Sequence, residues 1–111
     1  MQLRESVRTA TIANGGTTSD EIPLRGRMVV GFRMPAAFTG ATITFTGSEA
    51  SGGTFAAIYD SDGSQVSAAV AVSRFIGLSG AEADAVSAAP FIKLVSGSAE
   101  GAERLVEVVL K

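Results

Sequence analysis

The segment Asp60-Ser61-Asp62-Gly63 opens like a calcium-binding loop. Alternate carboxylates converge oxygen atoms on a hard cation, which is what such an ion requires. The next acidic position is occupied by Ser64, and no Glu follows where the loop needs its closing bidentate ligand. Asp and Gly at these spacings are also what a tight turn demands for backbone reasons. The segment is therefore read as a turn and no metal is assigned, with Asp60 and Asp62 as the candidate ligands. Asn14-Gly15-Gly16-Thr17-Thr18-Ser19 is a polar glycine-rich loop of the kind that can cradle phosphate through backbone N–H groups. That geometry calls for a following helix and often a Lys. Here a proline-containing extended segment follows, which favours a plain loop.

Acid–base chemistry has few candidates. Glu49, Asp60, Asp62, Glu82 and Asp84 could supply a carboxylate pair for glycoside hydrolysis. All fall in expected turns or exposed segments, and their spacing places no two across a cleft. The chain has no His and no Cys. Ser-His-Asp and Cys-His nucleophiles, thiolate metal sites and disulfides are thus excluded. The reading is a protein that is not an enzyme and takes no cofactor. Stacking on sugars would need exposed aromatic platforms. Tyr59 is the sole Tyr, Trp is absent, and the Phe residues sit at positions read as inward.

What remains is surface for a macromolecular partner. Arg25, Arg27 and Arg33 lie close in sequence, with Arg74 and Lys93 on other strands. Arg is enriched at interface hot spots, although a solvated outer face needs no further explanation. The polar stretch Met1–Arg8 carries Leu3, Arg4, Val7 and Arg8 and reads as an arm able to add a strand to a neighbour's open sheet edge. The candidate partner-binding residues are accordingly Leu3, Arg4, Val7, Arg8, Arg25, Arg27 and Arg33.

Elements of period two must position these groups. Ile43 and Phe45, with Ala41, point one way while Thr42, Thr44 and Thr46 point the other. Met28, Val30, Phe32 and Met34 alternate with Val29, Gly31 and Arg33. Phe55, Ala57 and Tyr59 precede the Asp-Gly turn, and Val66, Ala68, Val70 and Val72 follow it, which reads as a hairpin. Further strands are expected over 6–13, 22–24, 74–78, 91–95 and 104–111, with Ile92, Leu94, Val106, Val108 and Leu110 inward. Pro23 puts its short segment at a sheet edge. Only 79–89 reads as helical, with Ser79 as cap, Glu82 three residues later and Pro90 as the stop. Ser96–Ala102 is expected to be the longest internal loop.

The 111 residues, 46% hydrophobic and 18% charged, provide one folded core rather than a disordered chain. The expected fold is all-β: a small β-sandwich or jelly roll of about seven or eight antiparallel strands, with at most one short helical turn. Residues 1–8 form the arm and 9–111 the sandwich. A net charge of −2 argues against a duplex nucleic-acid partner. No apolar run is long enough for a spanning helix, and the first residues lack the apolar core of a signal peptide, so a soluble protein made without export is expected.

Ala10–Ser19, Ile22–Leu24, Val30–Phe45, Ile58–Asp60, Arg74–Phe75 and Phe91–Gly97 together give the chain a resemblance. Over nearly its whole length it resembles small virion proteins of tailed bacteriophages, in particular capsid cement or decoration proteins of siphophages that infect marine bacteria. The resembling motifs are turns and strands, and no catalytic residue comes with them. The resemblance implies a structural protein on the capsid exterior, assembled in the host cytoplasm, which binds the major capsid protein and stabilises contacts between capsomers. It also implies a homo-oligomer, a trimer in preference to a dimer, with neither nucleic acid nor membrane as partner. The rival expectation is a tail- or head-fibre-associated sandwich that recognises a host surface glycan.

Overall fold

A computed structural model describes residues 6–111. Leu3 and Arg4, and the arm up to Glu5, lie outside the described residues. Val7 and Arg8, read as arm, are already the first two residues of a strand. The element order is β1 (Val7–Ile12), β2 (Ile22–Pro23), β3 (Val29–Arg33), β4 (Thr42–Ser48), β5 (Ala56–Ala57), β6 (Ser67–Ala69), β7 (Phe75–Gly77), α1 (Gly80–Val86), β8 (Phe91–Ser96) and β9 (Arg104–Leu110).

The strands form two antiparallel sheets. One has the order β1-β9-β3-β7; the other runs β2-β8-β4-β5, with β6 also on β4. The long strands β1, β4, β8 and β9 turn alternate side chains into the space between the sheets, as period-two burial requires. From the first sheet come Ala10, Phe32, Val106, Val108 and Leu110, and from the second Ile43, Phe45, Ile92 and Leu94, all buried in one cluster. The Phe32 and Phe45 rings meet across the middle with centroids 6.2 Å apart and planes tilted by 53°, a geometry that aromatic quadrupoles favour over a flat sandwich. The all-β sandwich is the expected class. The nine strands exceed the expected seven or eight because four of them are only two or three residues long.

β3 departs from simple alternation. Val29 pairs with Leu110 and Gly31 with Val109, so Val30 is an extra residue in a bulge. The bulge resets the phase: Val29 and Phe32 are both buried, whereas Met28 turns outward. The expectation that Met28, Val30 and Phe32 share a face is corrected accordingly. The Val29 N–H donates to Ser87 Oγ at 2.9 Å, which ties the end of α1 to this irregular point. The segment before the Asp-Gly turn is also out of phase with expectation. Ile58 is the buried residue, and Ala57 and Tyr59 face solvent. Ala41, expected inward, is exposed as well, because it precedes the first residue of β4.

α1 has the start that its sequence encodes. Ser79 Oγ accepts the Glu82 N–H at 3.2 Å, and Glu82 Oε1 accepts the Ser79 N–H at 2.8 Å, so two orphan donors are satisfied reciprocally. The helix runs for seven residues, longer than the single turn expected, because Ala83 and Val86 are both buried on its inner side. Ser79→Ala is expected to cost about 1 kcal/mol, read as a shift in the denaturation midpoint with an unchanged slope.

Candidate functional site

The sandwich closes at one end around a carboxylate that the sequence did not mark. Glu100, in the 97–103 loop, is 1% exposed. Its Oε1 accepts the Thr39 N–H at 2.8 Å and Arg104 Nε at 2.9 Å. Its Oε2 accepts the Gly40 N–H at 3.0 Å and the Ser96 hydroxyl at 2.7 Å. Its main chain is engaged too: the Gly15 N–H donates to Glu100 O at 2.7 Å, and the Glu100 N–H donates to Gly16 O at 2.9 Å. One residue thus fastens three loops. Burial alone would raise its pKa, but the donations from Thr39, Arg104, Ser96 and Gly40 outweigh that and hold it at about 2. With every lone pair aimed at a donor and no open approach, this carboxylate is a clamp.

The clamp also decides the fate of the glycine-rich loop. The Gly15 and Gly16 N–H groups donate to Glu100 O and Ala13 O. Neither points outward to receive a phosphate. At the Asp-Gly turn, Asp60 Oδ1 accepts the backbone N–H groups of Asp62 and Ser64, each at 2.9 Å. The side chain mimics a backbone turn, and Asp62 itself is exposed. Among the described residues no group of three or more metal-ligating side chains comes together. Glu82 is spent on the cap of α1, while Glu49 and Asp84 are exposed and separate.

The largest exposed apolar side chains point to a different place, the outer face of the β1-β9-β3-β7 sheet. The registers define its rows. Thr9, Glu107, Arg33 and Phe75 lie side by side across β1, β9, β3 and β7. Val7, Val109, Gly31 and Gly77 form the next row, and Leu105 pairs with Thr11 beyond the first. Phe75 is 69% exposed and Leu105 51%. The Arg33 guanidinium carbon sits 5.1 Å from the Phe75 ring centroid, close enough for a cation–π attraction. Arg33 therefore leans towards β7 and makes no ion pair with Glu107, its neighbour on β9; among the described residues the only salt bridge joins Arg104 to Glu100. Two shallow hollows flank the Arg33–Glu107 pair. One of about 100 Å³ is lined by Val7, Phe75 and Val109, and one of about 300 Å³ by Met34, Pro35, Ala36, Ser73 and Leu105.

The structure splits the expected partner-binding residues. Val7 and Arg33 belong to this face. Arg8 turns its guanidinium onto the Val7 carbonyl at 3.1 Å at the β1 edge. Asp20 occupies the other end of that edge, accepting the Thr11 N–H and donating its own N–H to Thr11 O. Side chains and loop thus blunt the β1 edge against further pairing. Arg25 and Arg27 sit at the far end of the molecule, in the turn between β2 and β3. Arg25 has φ 54° and Gly26 φ 78° there, and the Arg27 N–H closes the turn on Leu24 O. Arg27 and Lys111 line a cleft of about 380 Å³ with Met28, Ser87 and Pro90.

Phe75 corrects the expectation that the Phe residues point inward. Phe32 and Phe45 do, whereas Phe55 is half-buried with Lys93 Nζ 4.4 Å from its ring centroid. The signal that could have exposed Phe75 is its neighbourhood: Ser73, Arg74 and Gly77 are poor company for a core strand. Compared with protein-family models, curated proteins and solved structures, the chain finds no match.

Proposed function

We propose that this chain is a structural virion protein that decorates the outside of a phage head and stabilises contacts between capsomers. The outer face of the β1-β9-β3-β7 sheet carries the reading. It is a mixed apolar and charged surface that carries Phe75, Leu105 and Arg33. Such a composition suits the core of a protein–protein contact, where aromatic residues and Arg dominate the energetics. The class of partner comes from the resemblance to siphophage cement proteins. A decoration protein gains its effect by binding the assembled shell and not the loose subunit, so many modest contacts stabilise the shell by linkage. The fold supplies what that requires, a clamped sandwich with an exposed face.

A glycan-binding fibre module draws on one observation, the 56% exposure of Tyr59. The ring stands alone beside an Asp-Gly turn, without the convergent polar groups that orient a sugar. The decoration reading is preferred for that reason.

Cryo-electron microscopy of virions that carry this chain, with the head symmetry imposed, tests the proposal. The expected result is density for the sandwich repeated over the shell exterior. Detection of the chain in the particles without such density would reassign it to the tail or a fibre. Phe75→Ala should lower occupancy on shells about tenfold at limiting protein, as for a moderate hot spot. Its thermal unfolding should barely move, because so little of the ring is buried in the isolated chain.

A further inference from the structure

We propose that the outer face of the β1-β9-β3-β7 sheet is a two-fold interface with a second copy of this chain, the axis running along the strands between β9 and β3. The inference rests on the reading of that face as a contact surface and names a second copy as its occupant, so that the shell meets the paired copies elsewhere and Phe75 acts on shell binding through pairing. Such an axis turns the rows end for end. In the first row Glu107 of one copy falls on Arg33 of the other, and Arg33 on Glu107. In the second row Val109 falls on Gly31 and Val7 on Gly77.

Both halves of that match are physical. Arg33 and Glu107 are neighbours on exposed strand positions, have opposite charge, and form no ion pair among the described residues. An isologous contact gives each of them a partner twice over. Val7 stands opposite Gly77, which is exposed with nothing within 4 Å of where a Cβ would be, while Gly31 opposite Val109 is buried. An apolar knob therefore meets a hollow once per copy, and the two sheets can pack with nearly aligned strands. Leu105 is carried towards the hollow beside Pro35 and Ala36. Three rows on four strands spaced about 4.8 Å apart cover roughly 400 Å² per copy. That is the size of a weak dimer, one that repeated attachment to a shell would reinforce.

Charge reversal tests the arrangement on the full chain, with sedimentation equilibrium up to about millimolar concentration as the readout. Wild type should dimerise. R33E and E107R should each weaken self-association roughly hundredfold, because every reversal places two like-charge pairs in the symmetric contact. An equimolar mixture of R33E with E107R should form heterodimers at close to wild-type strength, since both inter-copy pairs are then restored in the opposite sense. A monomeric wild type, or a mixture that fails to associate while both variants are folded by circular dichroism, overturns the interface. Shell binding is read separately. Protein that decorates shells but never dimerises removes this interface and leaves the decoration reading, whereas dimers that ignore shells do the reverse.

Discussion

Glu100→Ala is expected to destabilise the protein by about 3–5 kcal/mol, the range for removing one partner of a buried charged pair. Four donors lose their acceptor at once. The Thr39 and Gly40 N–H groups, in the loop between β3 and β4, both donate to this carboxylate. Arg104 loses its ion pair but reaches solvent, so its share of the loss is smaller. Glu100→Gln should cost less, yet not nothing. Whichever way the amide turns, its NH₂ group faces a backbone N–H, of Thr39 or of Gly40. Urea denaturation followed by far-ultraviolet circular dichroism gives both numbers. A loss below about 1 kcal/mol for the alanine variant would mean that the loops hold without the clamp.

The same residue sets an acid limit. Its folded pKa of about 2 lies below the ordinary glutamate value of 4.5, so the folded state binds fewer protons there than the unfolded chain. Stability from this group is fully present above about pH 5, falls as the pH drops through the interval between the two values, and is gone below about pH 2. A shift of this size corresponds to about 3 kcal/mol. The wild type should therefore lose stability steeply across that window. Glu100→Gln should lack that share of the slope, because its amide does not titrate.

Strands with one wet face and one dry face were legible from sequence alone. β4, β8 and β9 show their buried sets as written, Ile43 with Phe45, Ile92 with Leu94, and Val106 with Val108 and Leu110. The start of α1 was legible as well, because a capping box is local chemistry. The features that escaped depend on distant parts of the chain. The bulge at Val30 is invisible in a run of apolar residues, where either phase satisfies the alternation; the pairing with β9 chooses between them. Glu100 sits in a loop rich in Gly, Ser and Ala and reads as solvated surface. Its Thr39 and Gly40 donors lie about sixty residues earlier and come from backbone, which no residue type announces. Phe75 escaped for the opposite reason, since a phenylalanine in a strand is assumed to be core. The Arg33 half of the contact face was found because arginine on a strand has no apolar role to compete with it.

Gly31→Ala is expected to cost about 2 kcal/mol by overpacking, and the reason lies in how the sheet is edged. A Cβ at position 31 would stand 2.3 Å from the Ile76 carbonyl oxygen and 3.2 Å from Gly77 Cα. Those are backbone atoms, so no side-chain rotation relieves the clash and β7 itself must move. β7 is three residues long and lies at the sheet edge, flanked by the bonds from Met34 N–H to Arg74 O and from Leu78 N–H to Val30 O. Its displacement should appear as faster amide exchange at Ile76 and Leu78, while Val106 and Val108 on β9 stay protected. Gly77→Ala is the matched control. Nothing lies within 4 Å of the added Cβ there, so stability should change by no more than about 0.5 kcal/mol. In the two-fold contact that same methyl occupies the hollow meant for Val7 of the second copy. Gly31→Ala should therefore lose both stability and self-association, and Gly77→Ala self-association alone. Equal stability of the two variants would overturn the overpacking argument, and undiminished self-association of Gly77→Ala would count against the two-fold contact.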